Sequence, residues 1–102
     1  MKHKKKILPK YFNAILDGTK KFEIRKEDDC RFEVGDLIEL IEIANGRGIV
    51  HNQLENKLEA VVKETGRKQL IEITYRLDSN DFPEGIKEGY VVIGIKLVGN
   101  EE

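Results

Sequence analysis

The spacing of hydrophobic and polar residues predicts a series of short strands interrupted by one or two helices. Apolar residues at helical spacing follow Pro9, so residues 9–17 are predicted to form a short amphipathic helix that ends at Gly18. Elsewhere apolar and polar residues alternate, or apolar residues run together, which is typical of strands. The predicted strands are residues 4–8, the segment around residues 22–25, and residues 37–43, 66–77 and 90–97.

Three features of the pattern indicate how these strands are arranged. Residues 37–43 are apolar on both faces, which is typical of the middle of a barrel covered by a helix. Gly94 predicts a bulge or a close backbone approach within the last strand. The polar loop of residues 78–89 is long enough to fold over an opening. The order of elements predicts an α+β fold, a small mixed β-barrel with one or two helices.

The middle of the chain is predicted to hold the second helix. Apolar residues recur at helical spacing over residues 53–64, with Asn52 as a suitable N-cap. The pair at residues 61–62 could instead begin a strand. Residues 45–48 contain two glycines but lack the lysine and hydroxyl residue of a nucleotide-binding loop, so a turn is predicted there.

Length and composition indicate one soluble domain without a metal or cofactor. A chain of 102 residues supports a single modest core. No apolar run reaches the roughly 20 residues of a membrane span, and no signal peptide is visible, so a cytoplasmic location is expected. Cys30 is the single cysteine, which excludes a disulfide within the chain, and its acidic neighbours disfavour a reactive thiolate. His3 and His51 show no metal-binding spacing.

The charge of the chain is strongly asymmetric although its total is only −1. Residues 1–26 carry nine lysines and arginines against two acidic residues, a balance of +7, whereas residues 27–102 balance at −8. The first quarter of the chain is therefore the predicted anion-binding surface. Lysines near a chain end are also often only solvated, so the lysines of residues 2–6 could instead be a solvated chain end without a binding role.

The segment of residues 18–26 combines most of this charge with strand periodicity. Phe22 and Ile24 stand two residues apart, which predicts that they form the buried face of a strand. Lys21, Glu23 and Arg25 then project together from the other face. Because burying unpaired charge costs several kcal/mol, this face is predicted to look outward or into a wet cleft.

The same segment resembles a known family signature. Gly18, Lys20, Glu23 and Arg25 match the Gly-x-Lys-x-x-Glu-x-Arg motif of the ASCH superfamily, the activating-signal-cointegrator homology domains. The resemblance extends over residues 3–43 and 65–97 and is closest to a small bacterial and phage branch. Further matching residues are His3, Lys6, Ile7, Leu8, Pro9, Tyr11, Phe12, Phe32, Val34, Gly35, Asp36, Gly89, Tyr90, Val91 and Val92.

This resemblance implies a PUA-like fold for residues 1–102, with residues 44–64 as an insertion, and a role in RNA binding. We expect RNA or a nucleotide-like ligand as the partner. Lys20 would contact a phosphate or carbonyl oxygen, Glu23 a base edge or Arg25, and Arg25 a phosphate or a stacked base. Three residues are peripheral candidates for the same site: Lys6, Lys26 and His3.

Two other functions are open on the sequence. An ASCH branch that hydrolyses an acylated cytidine uses a threonine at the position of Glu23, so that mechanism cannot run here unchanged. A different hydrolase would use Glu23 as general base and Lys20 or Arg25 to stabilise an oxyanion. The chain could also be an accessory protein-interaction domain. The sequence favours binding over catalysis.

Overall fold

The computed structural model describes residues 1–44, 49–52, 57–60 and 63–99. Within these residues the chain forms one helix and seven strands. Their bounds are β1 Lys2–Ile7, α1 Pro9–Leu16, β2 Phe22–Lys26, β3 Leu37–Ile43, β4 Ile49–Asn52, β5 Lys57–Ala60, β6 Glu64–Asp78 and β7 Tyr90–Leu97. The α+β class is confirmed. No helix in the described part of the chain is long and apolar enough to cross a membrane.

Five strands form a mixed sheet in the order β1-β3-β6-β7-β2, and β4 and β5 form a separate antiparallel pair. β1 runs parallel to β3, and the other neighbours in the large sheet are antiparallel. The two edge strands approach each other. Arg25 Nη2 on β2 donates a hydrogen bond of 3.1 Å to the carbonyl oxygen of Lys6 on β1. The sheet is therefore curled into a half-barrel, and the seam between its two edges is where the charged segment lies.

The core fills the space between α1 and the inner face of this sheet. α1 contributes Phe12 and Ile15, and the turn before β3 contributes Phe32, which is fully buried. The helix begins at Pro9, whose missing N–H costs nothing in the first turn, and is followed by Gly18 with a φ of +86°. The inward residues of the strands are Ile7, Ile38, Leu40, Ile71, Ile73, Val91, Ile93 and Ile95.

The helix predicted for residues 53–64 is wrong where the structure can test it. Lys57–Ala60 is a strand that pairs with Ile49–Asn52. The reason is that the apolar residues near Leu58 fit a period of two as well as a helical period, so a pattern of this length does not separate the two structures. The turn predicted at residues 45–48 and the pair at residues 61–62 lie outside the described residues.

β3 alternates more strictly than its sequence suggests. Ile38 and Leu40 face the core, and the next inward position is Glu42, whose exposed fraction is 3 %. Arg67 Nη2 and Nε donate to this carboxylate at 2.6 and 2.8 Å, and the Thr65 hydroxyl donates at 2.6 Å. These hydrogen bonds lower the pKa of Glu42 to about 2. Glu42 therefore occupies an inward position at the end of β3, where its hydrogen bonds offset the cost of burying the carboxylate.

A register shift between Ile73 and Tyr75 divides β6 into two halves. The predicted alternation holds up to Ile73, but Tyr75 is exposed and Arg76 is turned inward instead. Gly94 lies opposite the shift, and a Cβ there would meet the Thr74 hydroxyl at 3.0 Å. The extra residue is Thr74 on β6, so the irregularity predicted at Gly94 lies in the neighbouring strand, and Gly94 leaves room for the Thr74 side chain.

Asp36 fastens the start of β1 to the turn that precedes β3. Its carboxylate accepts hydrogen bonds from His3 Nε2 at 2.9 Å, from the Met1 amino group at 3.0 Å and from the Glu33 amide at 3.1 Å. Burial raises the pKa of Asp36, but these hydrogen bonds outweigh it and bring the pKa to about 2. The folded chain therefore holds this carboxylate ionised.

We expect this linkage to make the fold acid-sensitive. Because the pKa of Asp36 in the folded chain lies below its ordinary value of 3.8, its contribution is complete above about pH 5 and is lost as the pH falls toward 2. The Asp36→Asn variant should be less stable than the wild type at pH 7, and the difference should shrink between these pH values. Urea midpoints measured over this range test it, and a constant difference would contradict it.

Candidate functional site

The turn after α1 presents Lys20 from a fixed position. The backbone amide of Lys20 donates to the Ala14 carbonyl at 3.0 Å, which anchors the turn to the helix end. The Thr19 hydroxyl donates to the Asp17 carboxylate at 2.7 Å and contacts the Ala14 carbonyl oxygen at 3.2 Å. The backbone of the turn that carries Lys20 is therefore fixed by hydrogen bonds to the end of α1.

The buried face of β2 is the opposite of the predicted one. Glu23 and Arg25 pair in register with Ile93 and Val91 of β7, which are core residues, and paired residues of antiparallel strands share a face. Glu23 is consequently 6 % exposed, whereas Phe22 and Ile24 on the outer face are 47 % and 58 % exposed. The prediction that Phe22 and Ile24 are buried is wrong.

The inward charges are tolerated because they satisfy one another. Lys20 Nζ donates to Glu23 Oε1 and, at 2.6 Å, to the Phe22 carbonyl. Arg25 Nε donates to Glu23 Oε2 at 2.9 Å, and Arg25 Nη2 lies 2.8 Å from the same oxygen as an ion pair. Both carboxylate oxygens of Glu23 are therefore engaged, and the trio carries one net positive charge. This pairing offsets the desolvation that made a buried charged face improbable from sequence.

The trio lies in a cleft of about 450 Å³ at the seam of the half-barrel. Lys20, Glu23 and Arg25 share this cleft, as the sequence predicted, and Lys6 lies at its rim. Lys21, expected on the same face, lines a different depression beside α1. The complete lining of the cleft is Lys6, Ile7, Leu8, Tyr11, Lys20, Phe22, Glu23, Ile24 and Arg25.

Two of the peripheral candidates are not brought to the cleft. Lys26 is exposed on the outer face of β2 and does not line the cavity. His3 is buried on β1, where its ring bonds to Asp36 and packs edge-on against Phe32 at a centroid distance of 4.9 Å. The contacts of His3 are those of a structural residue.

Comparison with known proteins gives a family for the chain. A model described as "Domain of unknown function (DUF3850)" matches residues 2–95. The chain belongs to the DUF3850 family. No curated protein matches it. The matched range includes every residue that lines the cleft and also residues 44–64, which the sequence predicted to be an insertion.

The DUF3850 cleft has aromatic walls that the sequence did not predict. Phe22 was predicted to be buried, but Phe22 and Tyr11 are both nearly half exposed. Lys20 Nζ lies 5.8 Å from the Tyr11 ring centroid and 4.9 Å from the Phe22 ring centroid. Once Glu23 is known to face inward, the period of two places Phe22 outward, so the signal was present in the alternation.

A second ionic cluster in this DUF3850 chain lies around Arg76. Arg76 donates to both oxygens of Glu27 at 2.6 and 2.8 Å and to Asp78 at 3.0 Å. The guanidinium lowers the pKa of Glu27, and the Asn80 amide together with Arg76 lowers the pKa of Asp78. The cluster borders a polar cleft of about 620 Å³ under residues 78–89. One guanidinium here faces two carboxylates, so these three side chains together carry one net negative charge.

Groups suited to covalent or metal chemistry are scarce near the DUF3850 cleft. Within the described ranges, no three His, Cys, Asp or Glu side chains are grouped so that they could hold a metal ion. Burial, with a smaller contribution from Asp29, raises the pKa of the Cys30 thiol, which disfavours a reactive thiolate. The Thr19 hydroxyl donates to Asp17, away from the cleft lining. Among the described residues, the cleft lining includes no serine, threonine or cysteine.

Proposed function

We propose that this DUF3850 domain binds RNA or a nucleotide-like ligand in the seam cleft. The observation that carries the proposal is that Lys20, Glu23 and Arg25 share one open cavity of about 450 Å³, within the size range of ligand sites. The ASCH resemblance and the half-barrel support a PUA-like fold as part of this proposal.

The charges of the cleft are suited to a phosphate. Arg25 uses Nε and Nη2 to hold Glu23 and Lys6, which fixes the plane of its guanidinium while its side chain stays 23 % exposed. A guanidinium with a fixed plane loses little entropy when it binds an oxyanion. Lys6 is exposed and also lines the cleft, which makes it the third basic residue there beside Lys20 and Arg25. The +7 balance of residues 1–26 would steer an anionic ligand toward this end of the molecule.

Hydrolysis of a small nucleoside is the less favoured function. Both oxygens of Glu23 already accept hydrogen bonds from cations, and in the part of the chain that the structure describes the cleft lining includes no serine, threonine or cysteine to act as a nucleophile. A cleft of this kind orients a ligand without supplying a nucleophile. Incubation with a panel of acylated and alkylated nucleosides is expected to give no turnover. Turnover that is lost in Glu23→Gln would support the hydrolase instead.

Binding is tested by titrating the protein into labelled single-stranded and structured RNA at about 50 mM and about 200 mM salt. We expect saturable binding at the lower salt that weakens steeply at the higher, because released counterions contribute to phosphate binding. Absence of any binding at low salt, for RNA and for free nucleotides, would contradict the proposed function. It would leave the accessory protein-interaction domain as the better interpretation.

A further inference from the structure

We infer that the seam cleft takes a single unpaired nucleobase, stacked on the exposed rings of Tyr11 and Phe22, with its phosphate toward Arg25 and Lys6. This inference rests on the proposed function and names the part of the ligand that the cleft selects. The ligand class is a free nucleotide or an unpaired position in a single strand. Duplex nucleic acid is excluded as the preferred partner.

The walls of the cleft favour a flat apolar face over a bare phosphate. Five of the nine lining residues are apolar or aromatic, namely Ile7, Leu8, Tyr11, Phe22 and Ile24. A site made only for phosphate groups would present cations and backbone amides to the anion. Here the polar groups are few and convergent, which is the usual composition of a small-molecule site.

The rings of Tyr11 and Phe22 both lie close to Lys20 and Glu23, which can form hydrogen bonds with the edge of a base. Lys20 Nζ lies within 6 Å of both ring centroids and is held by the Phe22 carbonyl and Glu23. A base that stacks on either ring has its edge beside an ammonium donor and a carboxylate acceptor. Such a pair can bind the carbonyl and amino groups that bases carry.

The position of the cleft determines which nucleic acids can reach it. It lies between the edges of β1 and β2, where Arg25 crosses the seam to the Lys6 carbonyl. A base in a duplex is stacked on both faces and cannot stack on an aromatic side chain of the cleft without leaving its base pair. A base in a single strand can be splayed out and stacked on an aromatic side chain at little cost.

The inference is tested by isothermal titration of adenosine 5′-monophosphate against ribose 5-phosphate. The two probes carry the same ribose phosphate, and the nucleotide has a base where ribose 5-phosphate has a hydroxyl group. Because base stacking on aromatic residues is worth about 1–3 kcal/mol, the nucleotide should bind about 5- to 150-fold more tightly. Equal affinities would overturn the inference and leave the proposed function standing. Failure of both probes and of RNA would contradict the proposed function itself.

Aromatic variants locate the effect. Phe22→Leu and Tyr11→Leu keep apolar side chains, and at least one should lower affinity for the nucleotide about fivefold or more while affinity for ribose 5-phosphate is unchanged. Tyr75→Leu is the matched control, because Tyr75 is 64 % exposed and does not line the cleft. Wild-type discrimination between the probes in both Tyr11→Leu and Phe22→Leu would overturn the inference.

Discussion

Replacing Arg76 by methionine is expected to lower the free energy of unfolding by about 3 kcal/mol. The guanidinium holds both oxygens of Glu27 and one of Asp78, and all three side chains are less than one-fifth exposed. Methionine keeps much of the side-chain length but leaves Glu27 without its counter-ion. For a domain of this size the melting temperature should fall by roughly 10–25 °C.

Two companion variants separate this charge effect from lost packing. Adding Glu27→Gln to Arg76→Met removes the carboxylate that has lost its counter-ion. The free energy of unfolding of the double variant should therefore be higher than that of Arg76→Met by at least about 1 kcal/mol. Asp78 keeps the Asn80 amide as a partner in both variants. Arg31→Met removes an exposed arginine from the same region and should change stability by less than about 0.5 kcal/mol. A double variant less stable than Arg76→Met would refute the charge explanation.

Elements with strong local signals were predictable from the sequence. Pro9 and Gly18 delimit α1, and the apolar runs of β3 and β7 have the predicted bounds of residues 37–43 and 90–97. Lys57–Ala60 was not predictable, because its pattern is too short to distinguish a period of two from a helical period. The inward turn of Arg76 was also hidden, since it depends on a bulge and on Glu27, which is 49 positions away in sequence.

The sequence of residues 18–26 predicted some features of the cleft but not all of them. The resemblance to the ASCH motif predicted that Lys20, Glu23 and Arg25 act together, and the structure places them in one cavity. Which face of β2 is buried depended on the pairing with Val91 and Ile93, which is not a local property. The sequence argument assumed that inward charges would stay unpaired. Their mutual hydrogen bonds remove that cost and turn Phe22 outward, so the aromatic wall of the cleft follows from the same pairing.

Replacing Arg25 by alanine is expected to weaken binding of a single-stranded RNA about 10- to 150-fold at constant salt, the value of one charge-assisted contact of about 1.5–3 kcal/mol. Arg25 is the cation whose plane is fixed by Glu23 and by the Lys6 carbonyl. Arg25→Lys keeps the charge but loses this two-sided support, so its affinity should lie between those of wild type and Arg25→Ala.

Lys26→Ala is the matched control, because it removes the same charge from the next position of the same strand. Lys26 does not line the cleft, so its loss acts only through the general potential and should weaken binding about two- to threefold. Fluorescence anisotropy of labelled RNA measures all three variants, with circular dichroism to show that each is folded. If Arg25→Ala and Lys26→Ala weaken binding equally, the ligand is held by the diffuse charge of residues 1–26. The seam cleft then has no part in recognition, because a contact made inside it must distinguish an arginine that lines the cavity from a lysine that does not.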